Sequence, residues 1–128
     1  MKVLLINGSP RANGNTSIAL AEVAKTLEAE GISAEVIDIA TIKPLDEEAV
    51  IASAKKTGAV VCAEEHNTCG GLGELVAGVL AANAPTPMEF INGADRFGQS
   101  GTPAELMKVY GLDADHIVEA AKKAVARK

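Results

Sequence analysis

Four short aliphatic runs, separated by helix-like or turn-rich stretches, constrain the fold of this chain more than any other feature of its sequence. They comprise residues 3–6, 34–39, 59–63 and 88–91. Continuous runs of this length, rich in β-branched residues, are typical of strands buried on both faces of a parallel sheet. Because parallel strands need right-handed crossover connections, the alternation predicts an α/β fold. We expect a three-layer α/β/α sandwich around a four-stranded parallel sheet in the order 2-1-3-4.

The composition fits such a sheet and excludes several classes of function. Apolar residues make up 48 % of the 128 residues, but Trp is absent and only two Phe and one Tyr occur, so the core has to be aliphatic. The length suits a single domain, residues 1–128. A net charge of −5 gives no electrostatic support to a nucleic-acid or anionic-membrane surface. No apolar run reaches the ~18 residues of a membrane span, so we expect a soluble, cytoplasmic protein.

Capping residues and apolar spacing predict five helices. We expect them to run from residue 15 or 16 to 31, from 46 to 58, from 70–71 onward, from 102 to 110 and from 113 toward residue 128. Asp46 and Asp113 are the expected N-caps of the second and last helices, and Thr102 with Glu105 forms a capping box. In the third helix an apolar stripe is expected to face the core: Leu72, Leu75, Val76, Val79 and Leu80.

The predicted strand order places a crevice at the carboxyl ends of strands 1 and 3. The chain reverses direction between these strands, so the loops after Ile6 and Ala63 diverge, and ligands of open α/β sheets bind at such a point. Gly70, Gly71 and Gly73 open a helix at the same crevice. These glycines are compatible with a small-anion site at the helix start, and equally with close packing of that helix start against the sheet.

Cys62 and Cys69 are the two cysteines of the chain, and two thiols do not make a disulfide framework. Cys62 ends an aliphatic run, where Cys usually behaves as a small buried apolar residue. A metal site made of Cys62, His66 and Cys69 would lack a fourth ligand and the paired CxxC spacing. We therefore predict no metal site. His116, in the first turn of the last helix, is expected to be solvated.

The loop after the first strand, residues 8–16, reads Gly-Ser-Pro-Arg-Ala-Asn-Gly-Asn-Thr. Its hydroxyls, amides and glycine-permitted turns place several hydrogen-bond donors at a helix N-terminus, beside one cation. The segment resembles the phosphate loop of the flavodoxin-like NAD(P)H-dependent FMN reductases. This resemblance implies that a phosphate anion, or FMN through its 5′-phosphate, is bound by Ser9, Arg11, Asn13, Asn15 and Thr16. The alternative interpretation is an ordinary loop with an Asn or Thr cap.

The other loops of the predicted crevice indicate that FMN is bound weakly. The loops after strands 3 and 4, residues 64–67 and 92–95, offer no aromatic side chain on which the flavin ring could stack. Two carboxylates near the crevice also oppose a dianionic phosphate over distances comparable to the Debye length. We therefore expect weak binding without catalysis.

From about residue 17 onward the sequence instead resembles the C-terminal domain of transketolases, most closely that of split, two-subunit enzymes. The motifs that carry this resemblance are Ile-Lys-Pro-Leu-Asp at 42–46, Glu-Glu-His-Asn at 64–67, Gly-Gly-Leu-Gly at 70–73, Asp-Arg-Phe-Gly at 95–98 and Ser-Gly-Thr-Pro at 100–103. The resemblance implies a scaffold and dimer-packing unit with no catalytic residue and no thiamine diphosphate of its own. It assigns Glu64, Glu65 and His66 to loop structure rather than to an acid–base set.

The two resemblances meet near residue 16, where a transketolase C-terminal domain would have an extra antiparallel edge strand and a different loop. Because removal of that strand leaves the flavodoxin-like order 2-1-3-4, we interpret the chain as an engineered chimera, with natural divergence as the alternative. Three functions stay open: a phosphate- or FMN-binding domain, a folded chimera without a ligand, and a non-catalytic transketolase-type subunit that needs partner domains. The edge left at strand 2, residues 36–39, predicts a homodimer by edge pairing.

Overall fold

The computed structural model of the chain describes residues 1–8, 15–39, 43–64, 69–92, 100–109 and 111–128. Four strands form one parallel sheet: β1 (Lys2–Asn7), β2 (Ser33–Asp38), β3 (Val60–Ala63) and β4 (Met88–Ile91). Their order is β2-β1-β3-β4, which confirms the predicted α/β architecture and strand order. In the register of the sheet, Leu5 of β1 lies between Val36 of β2 and Val61 of β3.

Within the described residues, five helices lie at the predicted places: α1 (Asn15–Ala29), α2 (Glu47–Thr57), α3 (Leu72–Asn83), α4 (Pro103–Val109) and α5 (Ala114–Ala126). The Asp46 carboxylate accepts a hydrogen bond from the Ala49 amide at 3.1 Å and so caps α2. Gly58 ends α2 with a φ of 79°, a conformation that favours glycine. In the described ranges, none of the helices is both long enough and apolar enough to span a membrane.

The two faces of the sheet carry separate aliphatic cores, and β1 contributes alternate residues to both. Val3 and Leu5 belong to the core that α1 and α5 cover. Leu4 and Ile6 belong to the core that α2 and α3 cover. All four side chains are fully buried, so β1 is the centre of the fold.

Burial decreases from the central strands toward the outer strands, contrary to the expectation that all four aliphatic runs are buried on both faces. Every residue of β3 is buried, whereas no residue of β2 or β4 is fully buried. Val36 in β2 is 43 % exposed and Phe90 in β4 is 42 % exposed. The outer strands have a neighbouring strand on one side only, whereas β1 and β3 have one on each side. Leu75, which the apolar stripe assigned to the core, is only half-buried.

Charged side chains on both outer strands form hydrogen bonds and ion pairs with residues of the neighbouring helices. Glu35 of β2 accepts a hydrogen bond from the Ser53 hydroxyl at 2.6 Å and pairs with Lys56 at 2.8 Å. The hydrogen bonds from Lys56 and Ser53 lower the pKa of the Glu35 carboxyl. On the other outer strand, Glu89 pairs at 2.8 Å with Arg127, the C-cap residue of α5. Charges of this kind limit the pairing of an edge strand with another chain.

Candidate functional site

The carboxyl edge of the sheet forms a crevice between β1 and β3. The chain leaves β1 toward α1 on one face of the sheet and leaves β3 toward α3 on the other face. The Gly8 amide donates to the Ala63 carbonyl at 2.9 Å, which holds the two strand ends together at the point of divergence. This is the topological switch point where ligands of open α/β sheets bind.

Glu64, the first residue after β3, places its carboxylate at the start of α3. Its Oε1 accepts a hydrogen bond from the Leu72 amide at 2.8 Å, and its Oε2 accepts one from the Gly73 amide at 2.6 Å. The side chain is buried, with 5 % of the residue exposed. Amides at a helix N-terminus attract negative charge. Glu64 is therefore an internal anion that already occupies this helix start.

The glycines around Glu64 permit close packing of three elements. A Cβ at Gly73 would lie 2.7 Å from Cδ1 of Phe90 and 3.2 Å from Oε2 of Glu64. A Cβ at Gly8 would lie 3.0 Å from Cβ of Glu64. Of the two interpretations left open for the glycines that begin α3, the structure favours close packing. The anion-site interpretation fails because Glu64 takes the amides that an external anion would need.

A second polar pair joins the carboxyl ends of β1 and β2. Asn7, which is 1 % exposed, donates from Nδ2 to Oδ1 of Asp38 at 2.8 Å. The Asn7 carbonyl also accepts a hydrogen bond from the Ile39 amide at 3.0 Å. Buried polar groups have to be paired, and here the pairing is made within the fold. The Asn7–Asp38 pair thus fixes the relative position of the first two strands beside the crevice.

Phe90 is a residue of the crevice that sequence reasoning missed. It lies in β4, is 42 % exposed and packs against the backbone at Gly73. The sequence did contain a signal for this residue, because Phe90 is the one aromatic residue in the four aliphatic runs. The ring belongs to the strand itself and not to the loops after strands 3 and 4, in which an aromatic side chain was sought.

The predicted phosphate and FMN site lies largely outside the described residues. Ser9, Arg11 and Asn13 belong to a segment that is not described, and only the backbone of Asn15 and Thr16 is described, as the first two residues of α1. The helix begins where the sequence predicted, and its first turn contains no acidic residue. Binding of a phosphate or of FMN by this loop stays a prediction. Glu65 and His66 also lie outside the described residues.

The two cysteines have different surroundings. Cys62 is 1 % exposed within the core under α2 and α3, as its aliphatic run predicted, whereas Cys69 is exposed. Burial and, to a smaller extent, the negative charge of Glu64 raise the pKa of the Cys62 thiol. Such a thiol is a poor nucleophile and a poor metal ligand. Within the described ranges, no three His, Cys, Asp or Glu side chains come together as metal ligands.

His116 lies at the start of α5, beside the residue that caps this helix. Its ring Nδ1 contacts Oδ1 of Asp113 at 2.5 Å, and its amide donates to the same oxygen at 3.0 Å. Burial favours the neutral carboxyl, but the hydrogen bonds from the His116 amide and ring outweigh it and lower the pKa of Asp113. The His116 side chain is half-exposed and takes part in the cap of α5.

Comparison with known proteins identifies the family. The transketolase C-terminal domain family matches residues 12–117. The chain belongs to this family. It is 45 % identical over 116 residues to the 6-deoxy-6-sulfo-D-fructose transketolase subunit SqwH of Clostridium sp. (strain MSTE9), a match that covers 88 % of this chain and 36 % of that protein. It is also 45 % identical over 94 residues to a putative transketolase C-terminal section of Methanocaldococcus jannaschii, covering 73 % of this chain and 29 % of that protein.

The fold of this chain also matches a solved structure, described as a split gene transketolase, inactive beta4 tetramer. The TM-score is 0.84 and the sequence identity 43 %, and the match covers 98 % of this chain and 39 % of the other. The chain thus spans about a third of the length of the relatives that it matches. These matches confirm the resemblance to transketolase C-terminal domains. They give no support to the FMN reductase resemblance of residues 1–16 or to a chimera.

Proposed function

We propose that this chain acts as the C-terminal-type domain of a transketolase-like assembly, in which it is a non-catalytic unit that works only with partner domains. Family membership supports this proposal, as does the fact that the chain spans about a third of its relatives' length. Its role is to supply a rigid scaffold and a packing surface. Ketol transfer takes place on other domains of the assembly.

The observation that carries the proposal is that the Glu64 carboxylate is hydrogen-bonded to the backbone at the start of α3. A catalytic acid or base needs a carboxyl that can reach the substrate. Both oxygens of Glu64 instead accept backbone hydrogen bonds from α3, at 2.8 Å and 2.6 Å. At the described part of the crevice, this carboxylate stabilises a strand–helix junction.

Thiamine diphosphate, the cofactor that the transketolase family implies, does not fit the described part of this crevice. A diphosphate would seek the amides at the start of α3, where the Glu64 carboxylate is already bound and would repel it. Binding of the cofactor belongs to the partner domains.

An assay of ketol transfer tests the proposal. The isolated chain, supplied with thiamine diphosphate, Mg²⁺, a ketose phosphate and an aldose phosphate, is expected to show no turnover. A protein that carries the remaining transketolase domains is expected to bind the chain in a pull-down with purified components. A complete transketolase assayed in parallel is the positive control. Turnover by the isolated chain would contradict the proposal.

A second function, binding of a phosphate or of FMN by residues 9–16, rests on the sequence of that loop and on the start of α1 directly after it. The same loop motivates the interpretation as an engineered chimera. The comparisons agree better with the transketolase-type subunit, because the family match already includes residues 12–16. We propose FMN binding as a weak, non-catalytic second activity.

A further inference from the structure

β4 is the outer strand beside β3, and in the described part of the chain no further strand pairs with its other edge. The carbonyls of Pro87 and Ile91 accept hydrogen bonds from amides at the two ends of β3, each at 3.0 Å. Alternate residues of a parallel edge strand bond to the neighbouring strand, so Met88 and Phe90 direct their backbone N–H and C=O groups away from β3. Edge groups of this kind are a template for pairing with another chain.

A side chain from the end of α5 binds one of these outward groups. Arg127, the C-cap residue of α5, donates a hydrogen bond from Nη2 to the Met88 carbonyl. The same nitrogen lies 2.8 Å from Oε1 of Glu89. Arg127 therefore reaches from the helix layer to the outer edge of the strand. Because paired strands lie about 4.8 Å apart, the guanidinium takes space that the backbone of an added strand would need.

Glu89 holds Arg127 at this edge and is itself an obstacle to strand addition. It lies in register with Val61, on the sheet face that α5 covers, and its side chain is only 17 % exposed. Its second oxygen, Oε2, lies 3.3 Å from Nζ of Lys123. An added strand would displace Arg127 from the Met88 carbonyl and remove water from the carboxylate and its cations, and both changes cost free energy. Inward-pointing charges protect edge strands for this reason.

We propose that Arg127, held by Glu89, guards the outer edge of β4 against strand addition, so that the folded chain does not assemble through this edge. This role goes beyond the proposed function and does not depend on it. A second ion pair of α5 provides a contrast, because Lys122 pairs at 2.8 Å with Glu30, the residue after α1, and not with a strand. The side chains of Lys122 and Arg127 are equally exposed, at 48 %.

Assembly of the purified, folded chain, followed by thioflavin T fluorescence and light scattering below the unfolding temperature, tests this role. Arg127→Ala frees the Met88 carbonyl and one oxygen of Glu89, so it should assemble at least about ten-fold faster than wild type. Lys122→Ala is the matched control and should assemble at the wild-type rate. Arg127→Lys keeps the charge but loses the fork of donors, so its rate should lie between those of Arg127→Ala and wild type.

Two further variants separate loss of the guard from loss of stability. Ile117→Val shortens a buried side chain of α5 and leaves the edge of β4 unchanged. It is expected to be less stable in urea than Arg127→Ala, which loses an exposed ion pair, and yet to assemble more slowly. Arg127→Ala/Met88→Pro removes the outward N–H of the first residue of β4, where proline is tolerated, and should restore the wild-type rate.

Four results would overturn the proposal: equal assembly of Arg127→Ala and wild type, an equal acceleration in Lys122→Ala, faster assembly of Ile117→Val than of Arg127→Ala, or no rescue by Met88→Pro. The absence of rescue would assign the assembly to another surface, such as the edge of β2. All four results leave the proposed function standing. Ketol transfer by the isolated chain, in contrast, would contradict the proposed function and leave the role of Arg127 unchanged.

Discussion

Two helices begin at the crevice, α1 after β1 and α3 after β3, and their N-termini differ in what faces them. The start of α3 is occupied by Glu64, a buried carboxylate from the end of β3 that accepts two of its amide hydrogen bonds. The first turn of α1 has no acidic residue, and a loop with one cation, Arg11, leads into it. The N-termini of α1 and α3 occupy equivalent positions in the topology, but they differ in the charge of the residues that face them. The chain's own carboxylate fills the start of α3, whereas binding of an anion at the start of α1 stays a prediction.

This comparison also explains why the glycines of α3 were ambiguous in the sequence. The residue that settles their role, Glu64, precedes Leu72 by eight positions and belongs to the preceding strand end. Local capping residues, such as Asp46 and Asp113, lie three positions from the amides that they bind. Only local caps, such as Asp46 and Asp113, can be found by local sequence patterns.

Removal of the internal anion should have the largest effect on the molecule. Glu64→Ala leaves the Leu72 and Gly73 amides without their acceptor in a buried site, and hydrogen bonds to charged groups contribute about 1.5–3 kcal/mol each. We expect the free energy of unfolding in urea to fall by about 3 kcal/mol. Glu64→Gln keeps the shape and one acceptor oxygen, so it should lose less. A loss below about 0.5 kcal/mol in Glu64→Ala would mean that the start of α3 does not depend on this carboxylate.

Two glycines of the same helix offer a matched pair for the next test. Gly73→Ala brings a Cβ to 2.7 Å from the Phe90 ring, whereas a Cβ at Gly78 meets no atom within 4 Å beyond the local helix backbone. Gly73→Ala should destabilise by about 1–3 kcal/mol through overpacking. Gly78→Ala should stabilise by up to about 1 kcal/mol through helix propensity. Thermal and urea unfolding measure both.

The double variant Gly73→Ala/Phe90→Ala distinguishes the cause of the Gly73 effect. If the clash with the ring is responsible, the cost of Gly73→Ala should be smaller in the Phe90→Ala background than in wild type. An equal cost in both backgrounds would show that the packing of Phe90 against α3 is not what requires glycine at this position.

Asp113, the local cap of α5, should contribute less to the free energy of unfolding than Glu64 does at the start of α3. Its contribution should also depend on pH. The folded-state pKa of Asp113 is lowered, so its charge stabilises the protein above the unfolded-state pKa, and this contribution is lost as the pH falls through the folded-state pKa. Asp113→Asn keeps a capping oxygen and removes the charge. The difference in unfolding free energy between wild type and Asp113→Asn should be below about 1 kcal/mol at pH 7 and should vanish in strong acid. A difference that persists unchanged at pH 2 would exclude the charge as its source.

The start of α1 is expected to give the smallest effect. FMN titrated into the chain should bind weakly, riboflavin should bind less well, and Arg11→Ala should weaken FMN without changing riboflavin, because the 5′-phosphate is the group recognised. Flavin fluorescence follows the binding. Lys25→Ala, a cation removed from the exposed face of α1, is the matched control. Equal affinities for FMN and riboflavin would show that residues 9–16 form a connection only.

The sequence by itself determined the four strands, the five helices, the strand order and the caps of α2 and α5, because each depends on residues within a few positions of one another or on the crossover rule for parallel strands. Its motifs also identified the family. The tertiary structure alone decided that the two outer strands are partly exposed, that Glu64 occupies the start of α3, that Phe90 packs on Gly73, and that Leu75 and Gly78 remain accessible on the outer face of α3. The physical reason is that an apolar or acidic residue has the same local pattern whether another element covers it or not. Burial and charge pairing depend on contacts between elements distant in sequence, and only packing fixes those contacts.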